Sequence, residues 1–129
     1  MATVSLNSWR EAFVDSSGAR FGDLVNSAVV LEGSVFVEPI VGRTAVWRTL
    51  RHPASIYDQL KFTFEATSDR RVYLEWEGEA GGLPLAGLTA LTLDDEGRVL
   101  KVAIHHRPLA AVTRFASRLS DSTEQKEVT

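Results

Sequence analysis

The chain predicts an α+β domain: helices first, then antiparallel strands with one inserted helix. Three observations carry this. Apolar residues Trp9 and Phe13 recur at helical spacing near the start. Leu60, Phe62, Phe64 and Ala66, then Val72, Leu74 and Trp76, alternate with polar residues on either side of Ser68-Asp69-Arg70. Two further strand-like runs flank Asp94-Asp95-Glu96-Gly97, and the second passes through His105-His106-Arg107-Pro108 into an amphipathic segment.

The elements follow in order. Ser8 and Glu11 have the spacing of a capping box, placing a helix start at Ser8. Gly18 is expected to end that helix, and Phe21 to Val25 to add a short turn. Ala28–Leu31 and Val35–Val41 are rich in β-branched residues and read as extended pieces, separated by Gly33-Ser34. Pro39 confines the second piece to a sheet edge or a bend. Arg43–Arg51 reads as a helix with Val46, Trp47 and Leu50 inward, closed by Pro53.

The first hairpin should set Lys61 across from Glu77. Ala80 to Pro84 reads as a loop. In the last hairpin, Leu85–Leu93 and Arg98–Arg107, a four-residue turn pairs Thr89 with Val102 and Leu85 with His106. Pro108 then opens a helix with an apolar stripe at Leu109, Val112, Phe115 and Leu119. The expectation is one domain over residues 1–129, with its ordered core at about 6–119 and a polar, frayed tail at 120–129.

Composition bounds the chemistry. With 129 residues, 44% apolar and 24% charged, the chain is long enough for a core and ordinary for a globular protein. A net charge of −3 and the lack of a basic run give no drive toward nucleic acid, and no apolar stretch is long enough for a bilayer. Met1 to Asn7 has neither the basic nor the apolar part of a secretion signal, so a cytoplasmic location is expected. Cysteine is absent, which excludes disulfide and thiolate chemistry. No phosphate-binding loop, dinucleotide fingerprint or zinc-type histidine motif occurs, so no cofactor is expected.

The order of elements is similar to the nuclear transport factor 2-like superfamily, which includes ketosteroid isomerases and SnoaL-like polyketide cyclases. The resemblance spans about Ser8 to Leu119 and rests on three pieces. Phe36-Val37-Glu38-Pro39-Ile40-Val41-Gly42 resembles the acid-Pro-x-x-Gly segment before the inserted helix of the isomerases. Trp76-Glu77-Gly78 resembles a central strand of SnoaL-like members, and Leu93 to Val99, running on to His106-Arg107-Pro108-Leu109, resembles their final hairpin and tail.

This resemblance implies a cone-shaped, curved, mostly antiparallel sheet wrapped around helices, with a cleft between them. It also implies a second copy on the outer sheet face, near Tyr73, Glu75 and Ala103. Glu38 occupies the place of the isomerase general base. The isomerase oxyanion hole does not transfer: the first helix has no tyrosine, and Thr89 stands where a carboxylic acid is needed. Ketosteroid isomerase is therefore rejected as the specific activity.

Leu91, Val102 and Ile104 share one face of the last hairpin with Thr89 and His106, the face that the resemblance turns toward the cleft. Glu38 and His106 are the candidate catalytic pair, an acid beside an imidazole suited to proton transfer on a carbonyl-bearing ligand. Each has a plainer reading, Glu38 as a solvated strand end and His106 as a backbone-bonded histidine. The candidate pocket comprises Trp9, Phe13, Trp47, Tyr57, Phe62, Thr89, Leu91, Val102 and Ile104. Tyr57 is read either as a phenol donor at the mouth or as a packing residue. His105 and His106 point to opposite faces of one strand, so no metal site is expected. Asp94, Asp95 and Glu96 lack calcium-loop spacing and read as a solvated turn.

The function expected is a pocket for a small, largely apolar molecule, favouring a non-catalytic binding or interaction module. The alternative is a cyclase- or isomerase-type enzyme working by acid–base chemistry. The expected partners are that small molecule and a second copy of the chain.

Overall fold

A computed structural model describes residues 4–52, 55–57 and 59–128, and of 121–128 the backbone alone. The chain runs α1 (Leu6–Val14), α2 (Ala19–Leu24), β1 (Val25–Gly33), β2 (Ile40–Val41) and α3 (Arg43–Leu50). It continues with β3 (Lys61–Ser68), β4 (Arg71–Ala80), β5 (Leu83–Leu93), β6 (Val99–Arg107) and α4 (Leu109–Val128). The strands form one sheet in the order β2-β1-β6-β5-β4-β3. Only the β1–β6 pairing is parallel. This is the α+β, mostly antiparallel sheet that the sequence predicts.

Alternation decides which face is buried. Val72, Leu74 and Trp76 of β4, Leu85 and Leu91 of β5, and Val102 and Ile104 of β6 all turn toward the helices and are buried. Trp9, Ala12 and Phe13 of α1, Phe21 of α2, Val46 and Leu50 of α3, and Phe115 of α4 meet them. Burying a side chain of this size contributes about 1.5–3 kcal/mol.

Helix α1 starts one turn earlier than expected. Ser5, not Ser8, is the N-cap: its hydroxyl accepts the Ser8 amide proton, while Ser8 Oγ accepts that of Ser5. The Glu65 carboxylate takes a third orphan donor, the Leu6 amide, at 2.7 Å. Gly18 does not end this helix; with φ of +80° it is the N-cap residue of α2.

Of the extended piece expected at Val35–Val41, only Ile40–Val41 is a strand. Ser34 still bonds to the Ile104 carbonyl, but Phe36 turns back onto Gly33 and residues 35–39 leave the sheet. Pro39 lacks the amide that would rejoin it. Helix α3 matches expectation at Val46 and Leu50, with Trp47 half-buried. Pro53, expected to close it, lies outside the described residues.

The β3–β4 hairpin pairs Lys61 with Glu77 as expected, but through a bulge between Phe62 and Phe64. The extra residue moves Phe64 and Ala66 to the outer face, where they pair with Glu75 and Tyr73. Phe64, expected inward, is accordingly 55% exposed. Residues 80–84 are not a loop; β4 and β5 run through them and leave only a Gly81-Gly82 turn.

In the last hairpin Thr89 pairs with Ile104 and Gly87 with His106, not with the expected partners. Strand β6 begins one residue later, at Val99, and a bulge beside Leu93 adds another. The two slips sum to an even number, so every side chain keeps its expected face. In α4, Ala111 and Phe115 are buried while Leu109 is exposed, and the helix continues through the polar residues to Val128.

Candidate functional site

A cavity of about 610 Å3 opens between the 35–40 segment, the C-terminal end of α3 and one face of α4. Val35, Phe36, Val37, Ile40, Ala116 and Leu119 give it an apolar wall. Its polar groups are Glu38, Thr49, His52, Ser117 and Ser120. The volume is in the range of small-molecule sites. Local chemistry places each part: Ser34 anchors to β6, Pro39 keeps the segment off the sheet, and Gly42 hands the chain to α3.

Glu38 lies on this segment as an exposed carboxylate with no hydrogen-bond or ion-pair partner among the described residues. Val37 beside it is fully exposed, an apolar side chain held in solvent at the rim. His106 is not among the residues lining the cavity. It lies half-buried at the end of β6, enclosed by the rings of Tyr57, Trp76 and Phe115 at centroid distances of 5.9, 5.6 and 5.9 Å.

His106 Nε2 is 2.8 Å from the Tyr57 hydroxyl, and its Nδ1 is buried without a partner. Burial pushes the imidazole down to about 4, against an opposing pull from the Ile104 backbone and with the help of neighbouring His105. Burial also pushes the Tyr57 phenol upward. Both rings are thus neutral near physiological pH. The pair is a desolvated hydrogen bond inside an aromatic cluster. Trp76 continues this polar thread: its indole N–H donates to Thr89 Oγ1 at 2.9 Å, deep in the sheet.

The residues read as pocket lining lie elsewhere. Trp9, Phe13, Tyr57, Thr89, Leu91, Val102 and Ile104 are buried, and Trp47 and Phe62 are half-buried. None lines the 610 Å3 cavity. Trp9, Phe13, Phe21 and Trp47 stack on one another at 4.8–6.3 Å, filling the space between α1, α2 and α3. Glu38 is the one candidate site residue the cavity includes.

Sequence reasoning missed His52 and the α4 face at Ala116, Ser117 and Ser120. A signal for His52 existed: it lies two residues past the end of α3, ten positions after the Gly42 that joins α3 to the Glu38 segment. The α4 face had no comparable signal, because two of those residues are serines. No group of three or more His, Asp or Glu able to hold a metal occurs among the described residues.

No protein-family model and no curated protein sequence matches the chain significantly. Solved structures do. A steroid delta-isomerase from Pseudomonas aeruginosa superposes with a TM-score of 0.80 at 17% identity, over 96% of this chain and 92% of that one. An uncharacterised protein with a cystatin-like fold from Silicibacter pomeroyi gives 0.78 at 16% identity, over 91% and 83%. A nuclear transport factor 2-like protein of unknown function from Burkholderia xenovorans gives 0.63 at 15% identity, over 78% of each chain. At such identities the likeness concerns architecture, on which unrelated activities are carried. The chain thus shares the fold of these structures, a curved α+β sheet packed against helices.

Proposed function

We propose that the chain binds a small, largely apolar molecule in the cavity between the 35–40 segment, α3 and α4, without catalysing a reaction on it. The observation that carries this reading is the cavity itself: about 610 Å3, walled by Val35, Phe36, Val37, Ile40 and Leu119. Against catalysis stands His106, which does not line the cavity with Glu38 and whose imidazole is engaged by Tyr57 and packed against Phe115. One observation favours the enzymatic alternative: Glu38 shares the cavity with another imidazole, that of His52.

Calorimetric titration with a neutral aromatic alcohol, naphthylmethanol, tests the binding reading. Wild-type protein should bind it, and Ala116→Trp, which fills the cavity from α4, should weaken binding by about tenfold or more. Unchanged binding by that variant would remove the cavity as the site.

The same proposal includes a homodimer through the outer sheet face. There Ala66, Tyr73, Ala90 and Ala103 fall in one row across four strands, with Phe64 and Leu88 in the next. Glu75 sits between Phe64 and Leu88 in that second row, Glu32 ends the first row beside Ala103, and Arg71 and Lys101 flank it on the other side, so both signs of charge are present. A self-complementary patch of that kind suits a two-fold interface.

A further inference from the structure

We infer that the cavity selects its ligand by charge, taking apolar molecules whose polar end is an amine or another hydrogen-bond donor and rejecting carboxylates. The inference rests on the binding reading above and names the ligand class of that site. Among the described residues Glu38 is the sole carboxylate lining the cavity, and no Lys or Arg lines it. Glu38 has no hydrogen-bond or ion-pair partner among them, so no described side chain answers its charge.

Beside the His52 imidazole, which also lines the cavity, the hydroxyl groups offer a cation nothing repulsive. The Thr49 hydroxyl already donates to the Ala45 carbonyl at 2.9 Å and so presents only lone pairs to a ligand. The Ser117 and Ser120 hydroxyls are neutral and serve as donors or acceptors. Phe36 supplies an aromatic ring to the same cavity, a surface that attracts cations and not anions. An anionic ligand would leave water to face a like charge, with no fixed cation to offset the loss. A cationic one would meet the exposed Glu38 carboxylate at the rim of an apolar wall, a modest attraction that adds to the apolar contacts.

Three isosteric probes distinguish the possibilities near neutral pH: naphthylmethylamine, naphthylmethanol and naphthoate, titrated by calorimetry against the whole chain. The amine should bind about tenfold more tightly than the acid, with the alcohol between them. Glu38→Gln should collapse that preference, bringing the affinities of the amine and the acid together. Glu96→Gln, the same charge change on the remote turn between β5 and β6, should preserve the preference. Naphthoate binding as tightly as the amine, or a preference that survives Glu38→Gln, would overturn the charge selection and leave the binding reading standing. Failure of all three probes to bind would overturn both.

Discussion

The Tyr57 hydroxyl stands 2.8 Å from Nε2 of His106, and the two rings meet edge-on with their centroids 5.9 Å apart. Trp76 and Phe115 close the cluster around them. A histidine that looked like a proton acceptor thus acts as a neutral, desolvated strut between β6 and the segment after α3. Its strength comes from burial, which excludes competing water, and its cost is the same burial, which leaves Nδ1 without a partner.

Removing the phenol oxygen tests this strut. Tyr57→Phe keeps the ring contacts and strands Nε2 of His106 in an apolar setting. The expected loss is about 1–2 kcal/mol, the range for one buried bond whose partner is left unsatisfied. Urea unfolding should report it as a lower midpoint at unchanged slope. A midpoint equal to that of wild type would mean that the bond contributes nothing.

The same histidine sets an acid limit on stability. Its folded-state value is pushed down to about 4, whereas the unfolded chain binds the proton near 6.5. Below pH 6.5 the unfolded state therefore takes up a proton that the native state refuses, and stability falls until about pH 4. The stabilisation is fully present above that window, and at most about 3 kcal/mol is lost across it. Following the His106 ring resonances by NMR checks the assignment. A midpoint near 4 is expected, and an ordinary imidazole midpoint would refute it.

Gly87 makes the cluster possible. It pairs with Trp76 on one side and with His106 on the other, and the centroids of those two rings lie 5.6 Å apart. A Cβ at this position would run into the Trp76 ring and the His105 carbonyl, well inside contact distance. Gly87→Ala should cost about 3 kcal/mol by overpacking, far more than the few tenths usual for an open strand position. Thermal unfolding should show a drop of several degrees and a changed Trp76 near-ultraviolet signal. A wild-type melting curve would show that the sheet yields easily there.

Much of this was legible in the sequence because period-2 alternation fixes a face without fixing a register. Thr89, Leu91, Val102, Ile104 and His106 were all assigned to the inner face correctly, although their partners were off by two. The bulges were not legible: nothing in Phe62-Thr63-Phe64 announces that Phe64 turns outward, since an extra residue is chosen by tertiary packing. The cavity was half legible. Glu38 stood out because a carboxylate interrupts an apolar run beside Pro39. Its companions on α4 did not, because a helix whose outer residues are Ser and Ala looks the same whether it faces solvent or a hollow. Tyr57 and His106, 49 positions apart, could be joined only by the fold.

Ala90 stands at the middle of the outer sheet face, between Tyr73 on β4 and Ala103 on β6. Small side chains in this row allow a second sheet to approach closely, and the neighbouring Phe64 and Leu88 supply apolar area that solvent would otherwise meet. A guanidinium at position 90 would bring a buried, unpaired charge to each side of a two-fold interface while leaving the inner core untouched. Light scattering after size exclusion should therefore give twice the chain mass of 14.2 kDa for wild type and the single mass for Ala90→Arg, with unchanged circular dichroism. Wild-type protein that scatters as one chain at micromolar concentration would dispose of the dimer, and the apolar row would then be no more than the exposed back of a monomeric sheet.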